Sequence, residues 1–289
     1  PQQPRPQQQQ QQQQVGPQRS RVEYIWLDGN SPKNIRSKVR FLDIDLRNPK
    51  LTDALPQWSF DGSSTNQAVG SESDCILKPV KWVMNSTERS RIPSIVVLCE
   101  VMNHDGTPHK SNTRANLLDT IKKTDMGDMW FGLEQEYTIV DKTGKPIGWS
   151  DYENGPPPQG KYYCGVGADT VEGRDLSEAH AAACNASGIF IDGTNAEVML
   201  SQWEYQTKAI NALDGADNVW ISRFFLQRIA ERMGFAISYH PKPVEGEWNG
   251  SGAHINFSTE FMRKHADIPY MHLVCSNMEQ YHDDSISVY

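Results

Sequence analysis

The chain has 289 residues, 37% hydrophobic and 22% charged, enough to bury a substantial core as one large or two unequal domains. A net charge of -8 and an isoelectric point near 5.5 argue against nucleic acid as the main ligand, and no apolar run approaches the ~20 residues of a membrane span. The five cysteines (Cys75, Cys99, Cys164, Cys184, Cys275) are odd in number and far apart, and read as reduced thiols of an intracellular protein, not a disulfide framework or zinc site.

Residues 1–17 are dominated by Gln and Pro, with an unbroken Gln7–Gln14 run. That composition offers too little apolar surface to offset ordering entropy, so residues 1–21 are expected to be a disordered tail. Arg5, Arg19, Ser20 and Arg21, with no acid before Glu23, also fit the end of an organelle transit peptide. The cytoplasm is the expected compartment, with a plastid or mitochondrion as the alternative.

Order is expected from Val22. Residues 22–27 read as a strand closed by a turn at Asp28-Gly29-Asn30, residues 39–46 as a second, and the continuous apolar run 94–101 as a buried one. Together they predict a small β-rich domain over residues 22–105. Within it, residues 58–65 form a polar loop in which Asp61 could simply cap local N–H groups.

From residue 106 to 289 helices alternate with strands, predicting an α+β domain on an antiparallel sheet. Helices are expected at 111–124 (capped by Asn112), 172–187 and 218–233. Strands are expected at 130–140, 189–191, 197–199, 203–206, 236–239 and 253–258.

The strand 130–140 carries the chemistry. Alternation places Glu134 and Glu136 on one face with Cα atoms roughly 7 Å apart, where two carboxylates resist ionising together unless a cation lies between them. A solvated face on which each Glu pairs with Lys is the plain alternative. Glu197 and Glu204 lie seven residues apart, and an irregularity near Leu200-Ser201 would turn both the same way on neighbouring strands. A Gly-rich approach leads to His254, which shares a face with Asn256 and Ser258. Four glutamates and one histidine form a hard-cation site suited to Mg2+ or Mn2+, which by itself points to a two-metal phosphoryl-transfer or hydrolytic enzyme.

The same residues carry a resemblance. The motifs at 60–65 (Phe-Asp-Gly-Ser-Ser-Thr), 130–138 (Trp-Phe-Gly-Leu-Glu-Gln-Glu-Tyr-Thr), 162–169 (Tyr-Tyr-Cys-Gly-Val-Gly-Ala-Asp), 193–199 (Gly-Thr-Asn-Ala-Glu-Val-Met), 202–206 (Gln-Trp-Glu-Tyr-Gln) and 248–258 occur in the order found in eukaryotic-type (type II) glutamine synthetases. The resemblance covers most of 22–289. It implies a small β-grasp domain followed by a catalytic domain, and ATP-dependent ligation of ammonia to L-glutamate through a γ-glutamyl phosphate. It further implies a homo-oligomer of stacked pentameric rings with sites between subunits. Carried over, Glu136, Glu197 and Glu204 bind one metal, and Glu134 and His254 a second. Asn249, Gly250 and Gly252 match the glutamate loop, and Glu134, Tyr205, Gln206, Asn256 and Ser258 the ATP contacts. Asp61 matches the aspartate that helps bind and deprotonate ammonium from the neighbouring subunit.

The chain also departs from the pattern. Lys208, Ala209 and Ala212 stand where the family has Gly-Pro and another Gly, Leu200 replaces a Pro, and Glu247 sits where Asn or Asp is common. The sequence stops at Tyr289, before the family's C-terminal flap, its phosphate- and glutamate-binding arginines and the third ligand of the second metal. Residues 1–289 taken alone are therefore expected to synthesise glutamine at no appreciable rate. The alternative reading is a catalytically impaired relative with a structural or regulatory role.

Overall fold

The computed structural model describes residues 16–287 except 72, 89, 125, 126, 153 and 154, so the Gln-rich run of the expected tail lies outside the described residues. These residues fall into two compact units that divide between Ser111 and Asn112.

The first unit contains β1 (Gln18–Leu27), β2 (Ile35–Ile44), α1 (Leu51–Ala54), β3 (Trp58–Asp61), β4 (Asp74–Met84) and β5 (Ser94–Met102). They form one sheet in the order β2-β1-β5-β4-β3, with β1 and β5 parallel and the other neighbours antiparallel. Alternate residues Val22, Tyr24 and Trp26 of β1 and Ile95, Val97, Cys99 and Val101 of β5 build the core with Leu51, Leu55, Phe60 and Leu77. Every residue of β5 is buried, as its unbroken apolar run requires of a central strand. β1 begins at Gln18, ahead of the expected Val22, because β2 runs far enough to pair Gln18 with Ile44 and Ser20 with Leu42. Strand β4 has no clear sequence pattern. Pro79 and two lysines interrupt it, and the sheet absorbs the Pro at a register shift between Pro79 and Lys81.

The second unit opens with α2 (Thr113–Lys123), which Asn112 caps by accepting the Ala115 N–H at 3.0 Å. It continues with β6 (Trp130–Val140), α3 (Arg174–Ala186), β7 (Ile191–Ala196), β8 (Gln202–Thr207), α4 (Ala212–Met233), β9 (Ala236–Ser238) and β10 (Ala253–Ser258). The helices α5 (Glu260–His265), α6 (Ile268–Glu279) and α7 (His282–Ile286) follow. The sheet order is β10-β6-β8-β7, all antiparallel, with β9 paired to the end of β6. Helix α4 buries Ile221, Phe224, Phe225 and Leu226, and its Ser222 hydroxyl lies 2.7 Å from the hydroxyl of the fully buried Tyr205 in β8. Tyr137 of β6 is likewise fully buried. One face of the sheet is thus committed to packing, which leaves the other to residues 134, 136, 204 and 206.

Several boundaries differ from expectation: the strand expected at 189–191 forms as β7 over Ile191–Ala196, the strand expected at 39–46 forms as β2 over Ile35–Ile44, and three further changes bear on the site. No strand forms at 197–199: β7 ends at Ala196, and residues 197–201 make a tight turn in which Ser201 has φ 72° and the Glu197 N–H donates to the Gln202 carbonyl at 2.8 Å. Helix α4 starts at Ala212 instead of 218, because Asn211 caps it through the Asp214 N–H at 3.0 Å and Gly215 is tolerated inside. Helix α3 begins at Arg174, after Gly173 takes the left-handed conformation (φ 85°).

No residue of α5, α6 or α7 is buried, whereas Phe225 is completely buried beneath the sheet. Phe225→Ala is expected to destabilise the protein by about 3–5 kcal/mol, and Leu273→Ala on exposed α6 by no more than about 0.5 kcal/mol, as read from urea midpoints.

Candidate metal centre

Strand pairing assembles the acidic residues. Glu136 of β6 lies directly opposite Glu204 of β8, and Glu134 directly opposite His254 of β10. Glu197 arrives from the turn after β7. Ligand atoms of Glu136, Glu197 and Glu204 all lie within 4.8 Å of one another.

Each of the three carboxylates has a neutral donor. The Gly252 N–H donates to Glu136 Oε2 at 2.6 Å, Asn195 Nδ2 to Glu197 Oε1 at 2.9 Å, and the Gln206 amide to Glu204 Oε1. Among the described residues no Lys or Arg forms an ion pair with any of them. Burial is the main reason all three carboxyls titrate above the usual carboxylate range. Their mutual charge adds to that shift, and the donors only partly oppose it. Like charges directly opposite on neighbouring strands destabilise a sheet, so this arrangement is unfavourable by itself. A divalent cation bound by the three oxygens removes the conflict, and an all-carboxylate oxygen set suits a hard ion. The donor set therefore fits Mg2+ or Mn2+.

Glu134 stands apart from the trio. Its Oε2 lies 3.6 Å from His254 Nδ1, and its Oε1 accepts from Asn256 Nδ2 at 2.5 Å. His254 and Asn256 are exposed on β10. The glycine loop bends onto the trio: the Gly252 carbonyl accepts the Glu136 N–H at 3.0 Å, and the Gly250 carbonyl accepts from Gln202 Nε2 at 2.9 Å. A Cβ on Gly250 would come within 2.9 Å of the Pro241 carbonyl oxygen, so the close approach requires glycine. Asn249 is exposed beside this loop.

Two expected nucleotide contacts, Tyr205 and Ser258, have neighbours of their own in the fold. The side chain of Tyr205 lies on the other face of β8, fully buried against Ser222, because alternation turns it away from Glu204 and Gln206. Ser258 is already engaged, its hydroxyl and carbonyl accepting from Arg263 at 2.9 and 2.8 Å. Gln206 keeps the front face, bridging Glu204 and Asn195 Oδ1 (2.9 Å). Asn195, which orients both Glu197 and Gln206, was not among the expected residues. Its place two residues before Glu197 was the available signal. Lys208 lies over the Phe190 ring, 5.2 Å from its centroid.

Asp61 belongs to the first unit and caps its own loop. It accepts the Ser63 N–H at 3.0 Å and the Ser63 and Ser64 hydroxyls at 2.7 and 3.0 Å. The Ser63 hydroxyl, then the Ser63 N–H and the hydroxyls of Ser73 and Ser64, pull its carboxyl down to about 2. It is a firm anion.

Residues 18–104 match the family model described as glutamine synthetase, beta-Grasp domain, and residues 111–267 match glutamine synthetase, catalytic domain. Glutamine synthetases of Yarrowia lipolytica and Saccharomyces cerevisiae are each 45% identical, over 93% and 94% of this chain and 71% and 72% of theirs. Glutamine synthetase 1, mitochondrial, of Drosophila melanogaster is also 45% identical, over 94% of this chain and 66% of its own. A solved Plasmodium falciparum glutamine synthetase has the same fold, with a TM-score of 0.64 at 19% identity, across 82% of this chain and 50% of the other.

The raised carboxyls set the sign of a pH effect. The folded trio holds protons above the ordinary carboxylate value of 4.5, so its contribution to stability is present below that pH and is lost as pH rises through the folded values. Saturating Mn2+ should restore about 2–3 kcal/mol at pH 7.5, at roughly 100 times its dissociation constant, and almost nothing at pH 4. Glu204→Gln should leave the metal-free melting temperature equal or higher and abolish the Mn2+ increment. Scanning calorimetry with and without MnCl2 reads both.

Proposed function

The chain belongs to the glutamine synthetase family, ligases that join ammonia to L-glutamate with ATP, and from that premise we propose that the Glu136–Glu197–Glu204 cluster is its catalytic cation centre. The observation that carries this reading is the close, unpaired carboxylate trio on one sheet face. Glu134 and His254 would hold a second cation nearer the ATP phosphates, with Asn256 and Gln206 beside them.

The reaction explains why charge must be gathered here. A glutamate γ-carboxylate resists attack by ammonia until one of its oxygens becomes a leaving group. That oxygen attacks the γ-phosphorus of ATP, ADP departs, and an acyl phosphate results. Ammonia nitrogen then attacks the carbonyl carbon, inorganic phosphate leaves, and the nitrogen gives up a proton. Bound Mg2+ or Mn2+ would supply charge neutralisation between the glutamate carboxylate and the triphosphate. The chain's own residues do the rest: the 249–252 loop would seat glutamate, and the partly buried carboxylates would keep the cations in place.

The firmly ionised Asp61 suits an ammonium-binding role, attracting the cation to the site; that it also receives the ammonium proton rests on the match to the family alone. We infer that it acts on the carboxylate cluster of a neighbouring subunit in a homo-oligomeric ring, with stacked pentamers as the expected form. The cytoplasm is the proposed compartment, and the name of the Drosophila relative keeps the mitochondrion as the alternative.

The direct test is formation of γ-glutamyl hydroxamate from glutamate, hydroxylamine and ATP with Mg2+ or Mn2+, by residues 1–289 extended with a family C-terminal segment, since residues 1–289 alone are expected to be nearly inactive. Glu136→Gln is expected to lower it by about 10²–10³, the usual loss for one preorganised charge-stabilising group. Asp61→Asn should cut ammonia-dependent ADP release by a similar ~10²-fold and leave Mn2+ affinity unchanged. Turnover that is insensitive to Glu136→Gln would overturn the assignment.

A further inference from the structure

We propose that Arg223 and Gln135 are positioning residues that fix the Glu136 carboxylate and the 250–252 loop for cation binding, an inference that rests on reading the carboxylate trio as a cation centre. Gln135 stands between Glu134 and Glu136 in β6, and alternation turns its side chain through to the α4 side, where it is buried. There Arg223 of α4 donates Nε to Gln135 Oε1 at 2.9 Å, and Nη2 makes a second, shorter bond to the same oxygen. The guanidinium is itself held by aromatic faces, 4.6 Å from the Trp220 centroid and 5.1 Å from that of Tyr239.

A guanidinium only donates, so it dictates which way the amide points. With Oε1 committed to Arg223, Gln135 Nε2 must face the sheet. It donates to the Glu136 carbonyl at 2.7 Å and reaches the Gly252 carbonyl at 3.4 Å. The Gly252 carbonyl sits where the glycine loop gives way to β10, and the Glu136 carbonyl lies in β6 beside it. The Gly252 carbonyl also accepts the Glu136 N–H at 3.0 Å, and the Gly252 N–H donates to Glu136 Oε2 at 2.6 Å. Gly252 is thus held from behind by the Gln135 amide and from in front by the carboxylate that would bind the cation. Positional information runs from α4 through one amide to a ligand oxygen.

Substitutions separate this role from simple electrostatics because the two predict opposite signs. Gln135→Glu keeps the size and the Arg223 contact but has no N–H to give the two carbonyls, and it adds negative charge behind the trio. Arg223→Met removes a positive charge and frees the amide to flip. Electrostatics alone would make both variants bind a divalent cation more tightly. Loss of positioning makes both bind it more weakly, by about 10–100-fold, as is usual when a partner of a metal ligand is removed. Mn2+ dissociation constants measured by electron paramagnetic resonance at pH 7.5, beside urea midpoints, read the difference. The double variant should be no weaker than the worse single one, since both act through one amide.

Gln135→Glu preserves the buried pairing, so it carries the test even where Arg223→Met fails to fold. Unchanged or tighter Mn2+ binding by Gln135→Glu overturns the proposal and leaves the cation centre standing, provided Glu136→Gln still abolishes binding. If the unsubstituted protein binds no Mn2+, or binds it regardless of Glu136→Gln, the cation centre and the positioning role fall together.

Discussion

The structure depends on one unfavourable juxtaposition, the carboxylates of Glu136 and Glu204 facing each other across neighbouring strands with Glu197 closing on both. Sheets ordinarily avoid like charges in opposed positions. Here the sheet cannot slide to relieve them, because a one-residue shift would turn Tyr137 and Tyr205 out of the core formed with α4. Burial of aromatic rings on one face therefore sustains charge repulsion on the other. Such concentrated, partly desolvated charge is what a ligase acting on two anionic substrates needs, since its bound cations must be gripped in a site that excludes bulk water.

Neutral donors refine this arrangement without discharging it. Asn195, Gln206 and the Gly252 N–H each orient a carboxylate oxygen, yet none supplies the full positive charge that would make a cation redundant. An arginine in any of those places would stabilise the empty sheet and compete with the ion. Arg223 lies instead behind the sheet, where its hydrogen bonds go to the neutral Gln135. Its geometry is thus available to the site while its charge does not neutralise the carboxylates directly.

Much of this was legible from the residues. The alternation of 130–140 placed Glu134 and Glu136 on one face, and the apolar run of 94–101 identified a central strand. What escaped were places where tertiary context outweighs local pattern. Strand β4 is broken by Pro79 in sequence and repaired by its pairing with β5. The segment 197–199 looks extended but forms a turn, because Ser201 adopts a left-handed conformation and lets the chain reverse there. Helix α4 starts earlier than its apolar stripe, since the cap at Asn211 and not hydrophobicity sets its first turn. Tyr205 was grouped with nucleotide contacts by motif, and strand alternation places its side chain in the core. The role of Gln135 depends on a helix some ninety residues downstream, which no local pattern could reveal.

The division of β6 into two faces also bears on how this protein can change over time. Core and chemistry are interleaved in the same eleven residues. Gain or loss of a single codon within that stretch would drive two glutamates beneath α4 and push Gln135 and Tyr137 toward water. Length changes there would remove fold and activity in one step, whereas point substitutions can abolish the chemistry and spare the fold. A lineage abandoning catalysis would therefore be expected to record it as replaced glutamates in a strand of unaltered length.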